Sequence, residues 1–278
     1  MRAPTSSRAV ALMAAVSLIA LARSAAADEA DERVPENPMF TDSWYVSAGV
    51  LWAESNVTAN LNSGRIGVGA LIDFEDDMGL DETNLIGLFD VRWRFSKRWQ
   101  LEVEYFKLDR DNEKQVQRVI DWGNLNIPIN SVAKGSFNIE DFRVGVGYSI
   151  FLSKDKELGV GLGAHVAKLE AGLSTRNLGS EIASQTAPLP FLTVYARMAL
   201  TDRWLLRMRV DRLSLDTGDI DGKIFSSGLD LIYQPWRHFS IGVGYRDINF
   251  QVSSVSDDWR GEAQIQESGP TLFLATSF

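Results

Sequence analysis

The chain has 278 residues, 45% of them hydrophobic and 10% aromatic, which is ample for an ordered structure and far from a disordered composition. Its formal net charge of −9 argues against nucleic acid as a partner. With no cysteine, it can have neither a disulfide framework nor a lipidated cysteine anchor, and neither thiolate catalysis nor metal ligation by sulfur.

The first elements are targeting elements. Arg2 and Arg8 give a positive start, Ala9 to Ala22 is a short apolar run, and Ala25, Ala26 and Ala27 put small residues before Asp28. Together these predict a secretory signal peptide over residues 1–27, cut near Ala27, because the run is shorter than the roughly 20 residues of a spanning helix. Its removal takes away three arginines and no acids, leaving 25 basic against 37 acidic residues, net −12. Residues 28–42 are expected to be a short periplasmic segment, and residues 43–278 to be the folded body.

That body shows period-two alternation repeatedly. After a first strand from Trp44 to Ala53, Leu85, Gly87, Phe89, Val91, Trp93 and Phe95 fall on one face and Asp90, Arg92 and Arg94 on the other. A turn at Ser96-Lys97-Arg98 leads to Trp99, Leu101, Val103 and Tyr105, set against Gln100, Glu102 and Glu104. The same unit recurs around Ser153 to Lys156, flanked by Phe142 to Ile150 and Leu158 to Ala164. It appears again around Thr201-Asp202-Arg203 and around Pro235-Trp236-Arg237, and a last strand runs from Leu272 to Phe278. The count predicts an all-β fold: a single antiparallel transmembrane β-barrel of about ten strands, with eight or twelve also compatible.

A soluble β-sandwich alternates too, but three features favour the barrel. The turns named above are short, whereas the opposite connections (roughly Ser55 to Thr83, Asp109 to Gly135, Gly172 to Ala187 and Asn249 to Gly261) are mostly long, as expected of periplasmic turns and extracellular loops. Aromatics gather beside the short turns at Trp44, Phe95, Trp99, Trp204, Tyr233, Trp236, Phe239 and Phe278, in the manner of an interfacial girdle. The apolar faces also have the length a tilted strand needs to cross hydrocarbon. Leu272, Leu274 and Phe278 would then face lipid, with Thr271, Ala275 and Ser277 facing the lumen, in a strand that pairs with the first so that no edge is left open.

A terminal aromatic preceded by alternating apolar positions resembles the signal read by the barrel-assembly machinery, with Thr276 a departure where a larger apolar residue is common. The stretches LIDFEDDMGLDETN, DVRWRFSKRWQLEVEYFKLDRD, TAPLPFL and YQPWRHFSIGVGYRD are similar to a widespread group of small proteobacterial outer-membrane β-barrel proteins with no established activity. The resemblance implies the fold, the outer membrane as location, and contact with outer-membrane lipid, lipopolysaccharide and the assembly machinery through Phe278. It brings no catalytic residue, cofactor or metal, and a monomer is expected.

The lumen is where the sequence is most specific. By parity the inward positions include Arg92, Arg94, Arg143, Arg197, Arg207, Arg209 and Arg246, against Asp90, Glu102, Glu104, Asp141, Asp211 and Asp230. Pairing across the first short turn sets Arg92 opposite Glu102 with Arg94 one diagonal away, so that opposite charges can come into contact there, while Arg197 faces Arg207 and both need acids from adjoining strands or an anionic guest. So dense a charge set in a small barrel predicts a salt-bridged plug. His165 has lumen parity with no serine nearby to give a nucleophile motif, so it reads as a structural lumen residue, and His238 lies beside a short turn. The acidic run Asp73, Glu75, Asp76, Asp77, Asp81 and Glu82 lacks the spacing of a calcium loop and reads as a solvated charge run, and Asp216, Asp219 and Asp221 read as turn chemistry. The expected role is that of a structural or surface-interaction barrel; a narrow channel or small-ligand transporter is the alternative, and a lipid-modifying enzyme the third reading.

Overall fold

The computed structural model describes residues 37–62, 71–216, 220–255 and 260–278. The expected signal peptide, most of the segment 28–42 and Asp219 therefore lie outside the described residues. A one-turn helix α1 (Pro38–Thr41) is followed by β1 (Trp44–Ala59), β2 (Ile72–Asp73), β3 (Thr83–Arg94), β4 (Trp99–Gln115), β5 (Ile120–Trp122), β6 (Leu125–Ile127), β7 (Val132–Leu152), β8 (Lys156–Thr175), β9 (Gly179–Ala199), β10 (Trp204–Asp216), β11 (Ile220–Trp236), β12 (Phe239–Val255) and β13 (Arg260–Ser277). Ten of these make the wall in the order β1, β3, β4, β7 to β13, and β13 pairs back onto β1 from Tyr45↔Ser277 to Ala59↔Ala263, closing an all-antiparallel barrel.

The wall divides into two zones because the alternation inverts its phase part-way up each strand. On β7 the outward residues near the short turns are Phe142, Val144, Val146, Tyr148 and Ile150, with Asp141 and Arg143 buried inside. Above Asp141 the buried residues become Ile139, Phe137 and Ala133, and the outward ones Glu140, Asn138 and Lys134. On β8, Val160, Leu162 and Val166 are exposed below, whereas Ala167, Leu169, Ala171 and Leu173 are buried above. On β12, Ile241, Val243 and Tyr245 are exposed below, whereas Ile248, Phe250 and Val252 are buried above. The lower zone thus shows an apolar outside and a charged inside, as hydrocarbon requires, and the upper zone shows the reverse, as water requires.

The lower rim carries the expected aromatics as cross-strand pairs. Trp44 stacks on Trp93 with ring centroids 5.5 Å apart, Trp99 meets Tyr148 at 4.9 Å, and Trp204 meets Tyr233 at 4.7 Å. Each pair joins residues directly opposite in the ladder, where side chains of neighbouring strands come closer than on the diagonal. At closure Phe278 donates its N–H to the Trp44 carbonyl (3.0 Å) and accepts from the Trp44 N–H (2.8 Å). Leu272, Leu274 and Phe278 are exposed, and Thr271, Ala275 and Ser277 are buried, as their parity predicts.

One expectation changes in detail. Much of the sequence read as extracellular loop is strand: β1 runs to Ala59, β4 to Gln115, β8 to Thr175 and β12 to Val255, so the sheet rises well above the apolar band. β8 and β9 meet through a tight turn between Thr175 and Gly179. The connections between β1 and β3 and between β4 and β7 stay long, and residues 72–80 of the first and 116–127 of the second send apolar side chains into the barrel.

Candidate functional site

Two layers fill the barrel, and they define what its interior can do. The lower layer is ionic. Arg143 donates through Nε (2.7 Å) and Nη2 (3.2 Å) to Asp211, both side chains being fully buried. Glu104 accepts from Arg209 (2.9 Å) and from Arg246 (2.7 Å). Arg207 bonds Asp230 through Nε at 2.8 Å and lies 3.8 Å from Asp90. Arg197 reaches Glu102 (2.7 Å) and Glu157 (2.8 Å), and Glu157 also holds Arg94 (2.9 Å). Such interlocking offsets the desolvation cost that isolated charges would carry inside a sheet cylinder.

The expected register holds, with Arg92 opposite Glu102 and Arg207 opposite Arg197. Of the two sources open to the facing arginines, the structure shows acids: Glu157 and Asp230 from adjoining strands and Glu102 from β4. The side-chain contact expected between Arg92 and Glu102 is corrected, however. Arg92 donates instead to the Met39 carbonyl at 3.0 Å and lies over the Tyr45 ring at 5.5 Å. The reason is α1, which seats Met39 and Phe40 in a buried cluster with Tyr45, Leu205, Ile232 and Phe273 and so offers Arg92 a carbonyl acceptor. Glu102, thus released, serves Arg197 and, at 3.5 Å, Arg143. Glu157 was missed in the sequence although it shares the parity of Gly159 and Gly161; its place next to the turn hid it. With it, the set holds as many acids as arginines.

Little space is left in this layer. A cavity of about 20 Å³ lined by Asp90, Arg197, Arg207, Arg209, Asp230 and Arg246 has room for about one water. Gly159 contributes to the filling, since a Cβ there would overlap the Tyr195 ring that lies across it.

His165 sits at the top of the ionic layer, 2% exposed. Its Nδ1 is 2.8 Å from Asp141, its Nε2 is 3.8 Å from Asp211, and its ring packs edge-on against Phe191 and Phe250. An Asp–His pair of this kind can orient a proton, but this one faces an aromatic ceiling rather than a cleft. His238, near the rim, contacts the Ser277 carbonyl at 2.7 Å.

Above Phe191 and Phe250 the filling is apolar. Phe74 and Met78, from the stretch between β2 and β3, and Trp122, at the tip of the β5–β6 hairpin, are fully buried among Phe137, Ile139, Leu169 and Ile265. Phe74 meets Trp122 edge-on at 6.0 Å and Phe137 at 5.8 Å. Gly135 makes room for Met78, whose side chain a Cβ would strike. The inserted segment is clamped by Arg110 to Glu75 (2.6 Å), by Val57 N–H to Glu75 (2.8 Å) and by Asn112 to the Gly79 carbonyl (2.7 Å).

The structure separates the residues of the acidic run. Glu75 turns inward to Arg110, Asp77 pairs with Arg118 at 2.6 Å, and Asp73 caps the Asp76 N–H at 2.8 Å, so these carboxylates hold down the inserted segment. Among the described residues no group of three carboxylate or imidazole side chains converges as a metal site would.

No protein-family model matches the sequence, and no curated protein matches it significantly. Solved structures do. The chain is similar in fold to the outer membrane protease OmpT of Escherichia coli, with a TM-score of 0.55, 10% sequence identity, and coverage of 89% of this chain and 99% of that one. Weaker likenesses are to Ail, the attachment invasion locus protein of Yersinia pestis (TM-score 0.34, 14% identity, 84% and 98% covered), and to the toluene transporter TodX of Pseudomonas putida (0.33, 8%, 88% and 93%). The chain thus has an outer-membrane β-barrel fold and resembles small proteobacterial barrels of that kind.

Proposed function

We propose that the protein is a closed, non-catalytic outer-membrane barrel whose work is done on its outer and upper surfaces. The observation that carries this reading is the double filling of the lumen, with an ionic layer in the apolar-banded zone and a packed apolar layer above it. A conducting path would have to cross both, and His165 with Asp141, a titratable pair of catalytic type, lies buried between them.

The upper wall supports an interaction role. β9 pairs with β8 along its whole length, but among the described residues its ladder with β10 stops at Leu192↔Arg212, which leaves one edge of Gly179 to Phe191 without a neighbouring strand. The β8 ladder runs unbroken through Pro188 and Pro190, so these residues, which have no N–H, face the open side and protect that part of the edge. Below the tight turn, Ser180, Ile182, Ser184 and Thr186 share their parity, and Ile182 is 68% exposed. This is the geometry by which an extended polypeptide adds a strand.

Planar-bilayer recording of the purified barrel tests the closed reading. Silence is the expected result; large, steady single-channel currents from the wild type would overturn it and promote the narrow-channel alternative.

A further inference from the structure

The outer wall has a built site just above the apolar band. On β12 the outward residue above lipid-facing Tyr245 is Asp247, and although a convex wall should expose it, it is only 6% exposed. It lines a depression of about 470 Å³ that crosses β10 to β13, with Arg212, Phe225, Asn249 and Gln266 in one continuous row and Ser214, Lys223 and Gln251 in the row above. Arg212 is exposed, and Lys223 lies 4.0 Å from Asp221. No described residue gives Asp247 a hydrogen bond or an ion pair, so burial alone acts on its carboxyl, pushing its pKa up. A carboxylate held nine-tenths buried in a cavity wall without a partner costs stability, and a ligand that supplies donors removes that cost.

We infer that this depression binds a phosphorylated saccharide. Asp247 would accept from sugar hydroxyls, Asn249, Gln251 and Gln266 offer amides of both hydrogen-bonding senses, Phe225 offers an apolar surface for a sugar ring, and Arg212 and Lys223 suit a phosphate. The height suits it as well: the site begins one outward position above the apolar band, where the sugar headgroup of an outer-leaflet glycolipid sits. The site rests on the outer-membrane placement, though not on the lumen's being closed. Its chemistry alone does not distinguish a membrane glycolipid from a free phosphorylated sugar.

The test uses the whole barrel refolded in zwitterionic detergent, with two probes: intact lipopolysaccharide, and the phosphorylated core oligosaccharide freed of its acyl chains. Binding is read by calorimetry and by the side-chain amide resonances of Asn249, Gln251 and Gln266. Asp247→Leu removes the carboxylate without leaving a buried polar group, and Arg212→Ala removes the exposed cation. Either change should weaken binding by about tenfold or more. A response to both probes supports the saccharide site with either source, and a response to intact lipopolysaccharide alone assigns the site to the membrane glycolipid. Silence toward both probes overturns the proposal, as does binding that neither variant alters; Asp247→Leu would then simply raise the melting temperature. Bilayer conductance is measured separately, so failure here and failure of the closed-barrel reading are distinct.

Discussion

At the scale of single residues, the barrel shows how burial and partnership decide what a charge contributes. Glu267 lies inside the upper wall, fully buried, accepting from Ser55 with one carboxylate oxygen while the other has no partner. Burial pushes its pKa up to about 7, against the lowering effect of the Ser55 bond and nearby Arg110. The folded state therefore holds a proton that the unfolded chain has released between the ordinary glutamate pKa, about 4.3, and 7, and stability falls as pH rises through that window. Glu267→Gln should leave stability nearly unchanged at pH 4 and raise it by about 3 to 4 kcal/mol at pH 8. Urea unfolding at the two pH values checks this, and an equal effect at both would show that the carboxyl is ionised throughout. In the lower layer Arg143 and Asp211 make a two-bond contact with neither group exposed, so losing one partner strands the other. Arg143→Met or Asp211→Leu should each cost about 3 to 5 kcal/mol, and the double change much less than their sum. The same cycle on Arg92 and Glu102, opposite in register yet bonded elsewhere, should give coupling near zero.

At the scale of elements, the strands nearest the short turns were legible because one face had to be apolar for lipid and the other polar for the lumen. The C-terminal strand was the clearest, and it carries a prediction. Deleting Phe278 removes two backbone hydrogen bonds to Trp44 and the terminal aromatic of the closing pair. The folded, heat-modifiable form in outer membranes should fall sharply, and an unchanged yield and gel shift would show that closure does not depend on it. The upper strands were legible only in part, for a physical reason. Their alternation continues but with its phase inverted, Phe137 and Ile139 pointing inward where Phe142 and Val144 point outward, so a reading that follows one apolar face loses the strand at the crossing and takes the rest for loop. Phe74, Met78 and Trp122 gave no periodic signal, because an inserted segment is held by tertiary contacts. The ionic partners were legible to the register and no further: α1, which draws Arg92 away, is too short to announce itself. Asp247 lay between Arg246, the last residue read as strand, and the loop expected from Asn249, and nothing in its local sequence tells that the wall there is hollow.

At the scale of the whole molecule, the closed-barrel reading proposed above makes the two fillings seals in series, and they differ in kind. The ionic layer is held by directional bonds between strands, whereas the apolar layer is held by packing of inserted segments clamped through Glu75 and Arg110. On that reading a seal of either kind stops ions alone: the first has a cavity of about 20 Å³ among its arginines and acids, and the second is mostly apolar, with its charges among the described residues confined to the clamped Glu75–Arg110 pair and to Glu267 at the wall. Opening should therefore need damage to both. Phe74→Ala with Trp122→Ala thins the upper layer, and Arg197→Ala with Arg207→Ala hollows the lower one beside its existing cavity. In planar bilayers neither pair alone is expected to pass steady current, while the four changes together should give small, resolvable openings. Current from the upper pair alone would mean that the ionic layer leaks and that the apolar plug is the true gate. Such a result would make the inserted stretch between β2 and β3 a movable lid, and the protein a channel held shut from outside.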